Sequence, residues 1–96
     1  MKRVLPRPFP AEPWVREAAD LGQAIRAART STGLTAESAA LSLGIARTTL
    51  LDLEKGAPTV SLGTALRVAA ELGVTVFVTE AVHRERVRRL IDEARR

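Results

Sequence analysis

From residue 20 onward, apolar side chains recur at helical spacing in four short blocks, and a glycine closes each one. In "DLGQAIRAARTSTG" the inward stripe is Leu21, Ile25 and Ala28; Asp20 and Gln23 resemble a capping box, and Gly33 stops the helix. In "TAESAALSLG" Thr35 caps, Ala39, Ala40 and Leu43 face inward, and Gly44 closes. "GIARTTLLDLEKG" buries Leu50 and Leu53 and ends at Gly56. "APTVSLGTALRVAAELG" is capped by Ser61, with Leu62, Leu66, Ala69 and Leu72 inward and Gly73 as the stop.

The period then changes. Over 74–79, Val74, Val76 and Val78 alternate with Thr75, Phe77 and Thr79, which predicts a β-strand. A lone strand leaves its backbone groups unpaired. Its partner is either "KRVL" near the N-terminus or the same strand of a second chain. The second needs no long loop closure and yields a symmetric dimer, so it is the preferred reading. The last segment returns to helical spacing, with Val87, Leu90, Ile91 and Ala94 in one stripe. Glu85–Arg89, Arg88–Asp92 and Arg89–Glu93 lie at (i, i+4) on it. Ahead of the helical blocks, prolines at 6, 8, 10 and 13 force an extended arm, and Pro13 could open a short helix through "PWVREAA".

The expected organisation is therefore an arm over 1–13, a helical domain with a dimerising strand over 14–79, and an Arg-rich amphipathic helix over 80–96. The expected fold is all-α with one strand.

Composition narrows the class. The 96 residues suffice for one domain, which buries somewhat over ~60% of its unfolded surface. With no cysteine, neither a disulfide framework nor a zinc finger is available. No apolar run approaches the ~20 residues of a membrane span, and "MKRVLPRPFP" lacks the apolar stretch of a secretory signal; a soluble cytoplasmic protein is expected. The net charge of +4 sits at the two ends. Lys2, Arg3 and Arg7 outnumber Glu12, and Arg84, Arg86, Arg88, Arg89, Arg95 and Arg96 outnumber Glu80, Glu85, Asp92 and Glu93. Residues 16–79 are balanced, so net charge supports a polyanionic partner only mildly. Enzyme chemistry finds no footing. His83 is the sole histidine, the serines at 31, 38, 42 and 61 lack a His–acid partner, and "LGTALRVAAELG" lacks the Gly-Lys-Ser/Thr ending of a phosphate loop. No metal or cofactor is expected.

Two short helices joined through "LGI", with Gly44 supplying a positive φ, suit a helix-turn-helix. "LGQAIRAART..GLT", "AALSLGI", "TTLLDLEKG" and "LGTALRVAAELGV" make residues 21–78 resemble the Xre (lambda and 434 repressor-like) family. Within it, "GVTVFVTEA" resembles the dimer-pairing strand of HipB-like antitoxins. That resemblance implies a lambda repressor-like bundle and a homodimeric, autoregulating repressor of double-stranded DNA, often encoded beside a kinase-type toxin that it binds. It places the start of the second helix in the major groove. Arg47 then reaches guanine O6 and N7, or a phosphate. Thr48 shares its face, Leu51 can meet a thymine methyl, and Asp52 can accept from cytosine N4 or serve a cap or ion pair. Thr49 and Lys55 reach the DNA backbone, Lys55 alternatively favouring the helix dipole. Ala36 and Glu37, with Thr59, Val60 and Ser61, offer helix N-termini to phosphates. The family also implies a buried ion pair between Arg29 and Glu54.

The chain departs from that pattern in three places. Ala36 stands where glutamine is common, Ala46 where a Ser or Thr cap is common, and Leu51 cannot hydrogen-bond. Two rival functions follow: a protein-interaction module with degenerate DNA reading, and a regulator without a toxin.

Overall fold

The computed structural model describes residues 3–96. Five α-helices follow one another: α1 (Ala18–Ser31), α2 (Ala36–Leu43), α3 (Arg47–Lys55), α4 (Leu62–Glu71) and, after a 3-10 turn at Ala81–His83, α5 (Arg84–Ala94). The core lies among α1 to α4. Leu21 and Ile25 of α1 meet Ala39, Ala40 and Leu43 of α2, Leu50 and Leu53 of α3, and Ala65, Val68 and Ala69 of α4.

Local chemistry sets the helix ends. Thr35 Oγ1 accepts from Ser38 N at 3.1 Å and Ser61 Oγ from Thr64 N at 3.1 Å, each satisfying an otherwise orphan amide. At α1, Asp20 lies three residues inside the start rather than at the cap. Its carboxylate accepts from Arg16 N and Glu17 N, so the expected Asp20–Gln23 box is displaced by one turn. The helix through "PWVREAA" does not form, and α1 begins only at Ala18. Gly22 lets α1 touch α3 backbone to backbone: a Cβ there would lie 2.5 Å from the carbonyl oxygens of both Leu53 and Glu54.

Two expectations are corrected. The strand over Val74, Thr75, Val76, Phe77, Val78 and Thr79 is absent; among the described residues the fold is all-helical, and 74–80 is irregular chain. Strand propensity forms no ladder without a partner edge, and the arm, the expected intrachain partner, runs elsewhere. Arg7 N donates to Thr30 Oγ1 at 2.9 Å, which ties the arm to α1. Lys2, the first residue of "KRVL", lies outside the described residues. Nor does the alternation hold: Val74 packs on the core, but Val76 is 41% and Val78 96% exposed. The second correction concerns α4. Its inner face is Ala65, Val68 and Ala69, with Leu72 half-buried beside them, whereas Leu62 and Leu66 are exposed. Both stripes have helical spacing, so the pattern alone does not say which of them faces the core.

On α5, Val87 and Ile91 are half-buried while Leu90 and Ala94 are exposed. Arg88 reaches Glu85 at 3.3 Å and Asp92 at 4.0 Å; the Glu85–Arg89 and Arg89–Glu93 pairs are not formed.

Candidate nucleic-acid interface

The geometry of α2 and α3 is fixed by the turn between them. Gly44 has φ 69° and ψ 31°, a left-handed conformation that a side chain strains. Its N–H donates to Leu41 O at 3.2 Å, and Ile45 N donates to Ala40 O at 3.0 Å, so the α2 carbonyls are satisfied as the chain reverses. Ile45 packs against the core, and Ala46 extends into α3 with φ −68° and ψ 146°. Behind this turn Arg67 of α4 donates through Nη1 to Leu43 O at 3.1 Å and to Glu71 Oε2 at 3.1 Å. Arg67 thus braces the end of α2 from outside, a role invisible in the sequence because nothing local links residues 43 and 67.

Leu50, Leu53 and Glu54 turn α3 inward. At ~100° per residue, Arg47, Leu51, Lys55, Thr48 and Asp52 then share one outward arc of roughly 140°. Arg47, Thr48, Asp52 and Lys55 are exposed, Leu51 and Thr49 half-buried. Thr49 lies off the arc, on the flank. Asp52 and Lys55 form no ion pair among the described residues. Arg47 can present its planar fork to paired acceptors, Thr48 a hydroxyl and methyl, and Asp52 an acceptor.

Helix starts supply a second kind of group. On α2, Thr35 occupies the Ser38 amide, which leaves the N–H groups of Ala36 and Glu37 free of a protein acceptor; Glu37 is exposed and Ala36 half-buried against the core. On α4 one of the three expected amides, that of Val60, is occupied. Val60 is half-buried and packs on the core, its N–H pointing to Ala57 O at 3.4 Å, and the Ser61 hydroxyl is engaged with Thr64. Thr59 is exposed. The N–H groups of Thr59 and Ser61, and with them those of Leu62 and Gly63, find no protein acceptor, and the Ser61 cap position could have indicated the last two. α3 has no side-chain cap at Ala46.

Arg29 and Glu54 lie together, away from the outward arc. Arg29 Nε donates to Glu54 Oε2 at 2.6 Å and Nη2 to Glu54 Oε1 at 2.9 Å, while Nη1 reaches Leu34 O at 2.9 Å. Each residue is only 7% exposed. The remaining sequence-predicted set, 74–79, is far from α3 in the chain and contributes to a separate cleft bounded by the arm, α1 and α5.

A short helix, a glycine turn and a second helix with a polar outward arc define a helix-turn-helix domain. The helix-turn-helix family model matches residues 25–78, more than half the chain, and the chain belongs to that Xre (lambda repressor-like) family. It is a DNA-binding regulator, and the family is regulatory rather than enzymatic. No curated protein matches the chain. No described helix is long and apolar enough to cross a membrane.

Proposed function

We propose that the protein is a cytoplasmic, sequence-specific transcriptional repressor that binds as a homodimer, with α3 in the major groove of each half-site. The observation that carries this reading is the outward arc of α3. Its apolar side chains Leu50 and Leu53 are buried, while Arg47 and Thr48 stand free at its N-terminal turn. Arg47, Thr48, Leu51 and Asp52 contact bases; Thr49 and Lys55 contact phosphates, together with the starts of α2 and α4 (Ala36, Glu37, Thr59, Val60 and Ser61, joined by Leu62 and Gly63). The finer proposal is an autoregulating antitoxin of HipB-like type. Exposed Leu41, Val78 and Val82 support a protein partner such as a toxin, since each leaves apolar surface for another chain to cover. The same surface favours the second reading, a protein-interaction module with degenerate DNA reading.

Binding to the DNA upstream of the protein's own gene separates these readings. A specific complex that Arg47→Ala abolishes, in a protein that still folds, supports the repressor. Weak binding at every sequence, erased by moderate salt, supports the interaction module. Co-purification with the product of the neighbouring open reading frame tests the toxin.

A further inference from the structure

A cleft of about 630 Å³ opens between the arm, α1, the irregular segment 74–80 and α5. None of its lining residues belongs to α2, α3 or α4, so it is separate from the DNA-facing arc. All of the chain's aromatic side chains, Phe9, Trp14 and Phe77, line it, above Leu21 and Ala24 of α1. That size and mostly apolar lining match a small-molecule site.

Arginines bridge the walls. Arg95 Nη1 donates to Pro10 O at 3.2 Å and to Ala11 O at 3.0 Å, and its guanidinium lies 5.6 Å from the Phe9 ring centre. Arg84 lies 5.7 Å from the Trp14 ring centre. Both guanidinium groups line the cleft, and neither forms an ion pair among the described residues.

Three carboxylates line it as well. Asp20 accepts two backbone N–H groups, and Glu80 stands 3.7 Å from His83 Nε2. Glu12 is exposed. Arg84 and Arg95 are the cationic groups of the lining that an incoming anion can meet.

We infer that this cleft binds an amphipathic carboxylate, a medium-chain aliphatic or arylalkyl acid. Its apolar body lies between Phe9, Trp14 and Phe77, and its carboxylate is held by Arg84 and Arg95. A guanidinium offers paired donors to a carboxylate: Arg84 now meets only the Trp14 ring, the weaker interaction, and Arg95 keeps Nε and Nη2 for an anion while Nη1 stays on the Pro10 and Ala11 carbonyls.

Trp14 is the sole tryptophan, so its fluorescence reports on the cleft directly. The intact protein, without DNA, is titrated with decanoate, 1-decanol and decyltrimethylammonium below their micelle concentrations. The expected result is a saturable change, with decanoate bound about tenfold more tightly than decanol and the cation weakest. Arg84→Gln lowers decanoate affinity toward that of decanol and leaves decanol unchanged, with the circular dichroism of the parent. Phe77→Ala, at a surface position, weakens all three ligands alike. Equal binding of decanoate and decanol, tightest binding of the cation, or no saturable change overturns the inference. So does a homodimer that all three ligands dissociate equally, because a second copy would then fill the cleft.

Discussion

Arg29 of α1 and Glu54 of α3 are joined by two parallel hydrogen bonds, and the third arm of the guanidinium holds Leu34 O at the loop into α2. Three elements therefore meet on one buried charge pair. Removing either partner leaves the other charged and unpaired where water cannot reach it. Glu54→Gln or Arg29→Ala should destabilise the domain by about 3 kcal/mol in urea denaturation. The double variant Arg29→Met/Glu54→Leu should recover most of that loss. If the single variants cost less than the double, the pair does not act as described.

Gly22 gives a steric prediction. Its missing side chain is replaced by the carbonyl oxygens of Leu53 and Glu54. Gly22→Ala should cost about 1–3 kcal/mol by forcing α1 off α3, although alanine is the better helix former. Thermal unfolding would show which effect dominates, and a stabilised Gly22→Ala would mean the contact yields easily.

α3 begins without a side-chain cap at Ala46, whose backbone already has the extended shape of a capping residue. Ala46→Ser should stabilise the domain by about 1 kcal/mol. A higher unfolding midpoint with an unchanged spectrum is the expected outcome.

Arg47 is exposed and tied to nothing in the protein, so Arg47→Ala should leave the unfolding midpoint within experimental error. On the proposed function it should lower specific DNA affinity by about five- to a hundredfold. Affinity for unrelated DNA should fall much less, a contrast measured by titration at fixed salt.

Arg67 should behave differently from a phosphate contact. Because it holds Leu43 O rather than solvent anions, Arg67→Ala should weaken specific binding while leaving the salt dependence unchanged. A phosphate-contacting arginine would instead reduce the slope of log K against log salt by roughly 1. A reduced slope in Arg67→Ala would assign it to the DNA surface.

The features legible in the sequence are the local ones. Glycine stops, the Thr35 and Ser61 caps and the inward Leu50 and Leu53 depend on neighbours within one or two turns. Three features depended on distant partners and were not legible. Alternation over 74–79 looked like a strand because the pattern carries no information about whether an edge exists to pair with. Leu62 and Leu66 outweigh Ala65 and Val68 in hydrophobicity, but the fold turns the smaller pair to the core. Arg67 became meaningful only once α4 lay against the end of α2. At the candidate site, Leu50 and Leu53 sufficed to orient α3, so its outward arc could be read. The Arg29–Glu54 contact spans 25 residues and was suggested by family likeness alone.

α3 is held at both ends, by the Gly44 turn with Ile45 on the core and by α1 at its far end, so a shift of the far end is carried along the helix as by a lever. Gly22, the Arg29–Glu54 pair and the packing of Gly56 on Ala19 fix its far end. At ~1.5 Å per residue, Arg47 rides about 12 Å from that fulcrum. A tilt of about 10° there displaces its Cα by roughly 2 Å by the same geometry, enough to break a hydrogen bond to a base edge. Substitutions near Ala19 or Leu53, which touch no nucleotide, should therefore emerge in selections for altered operator preference.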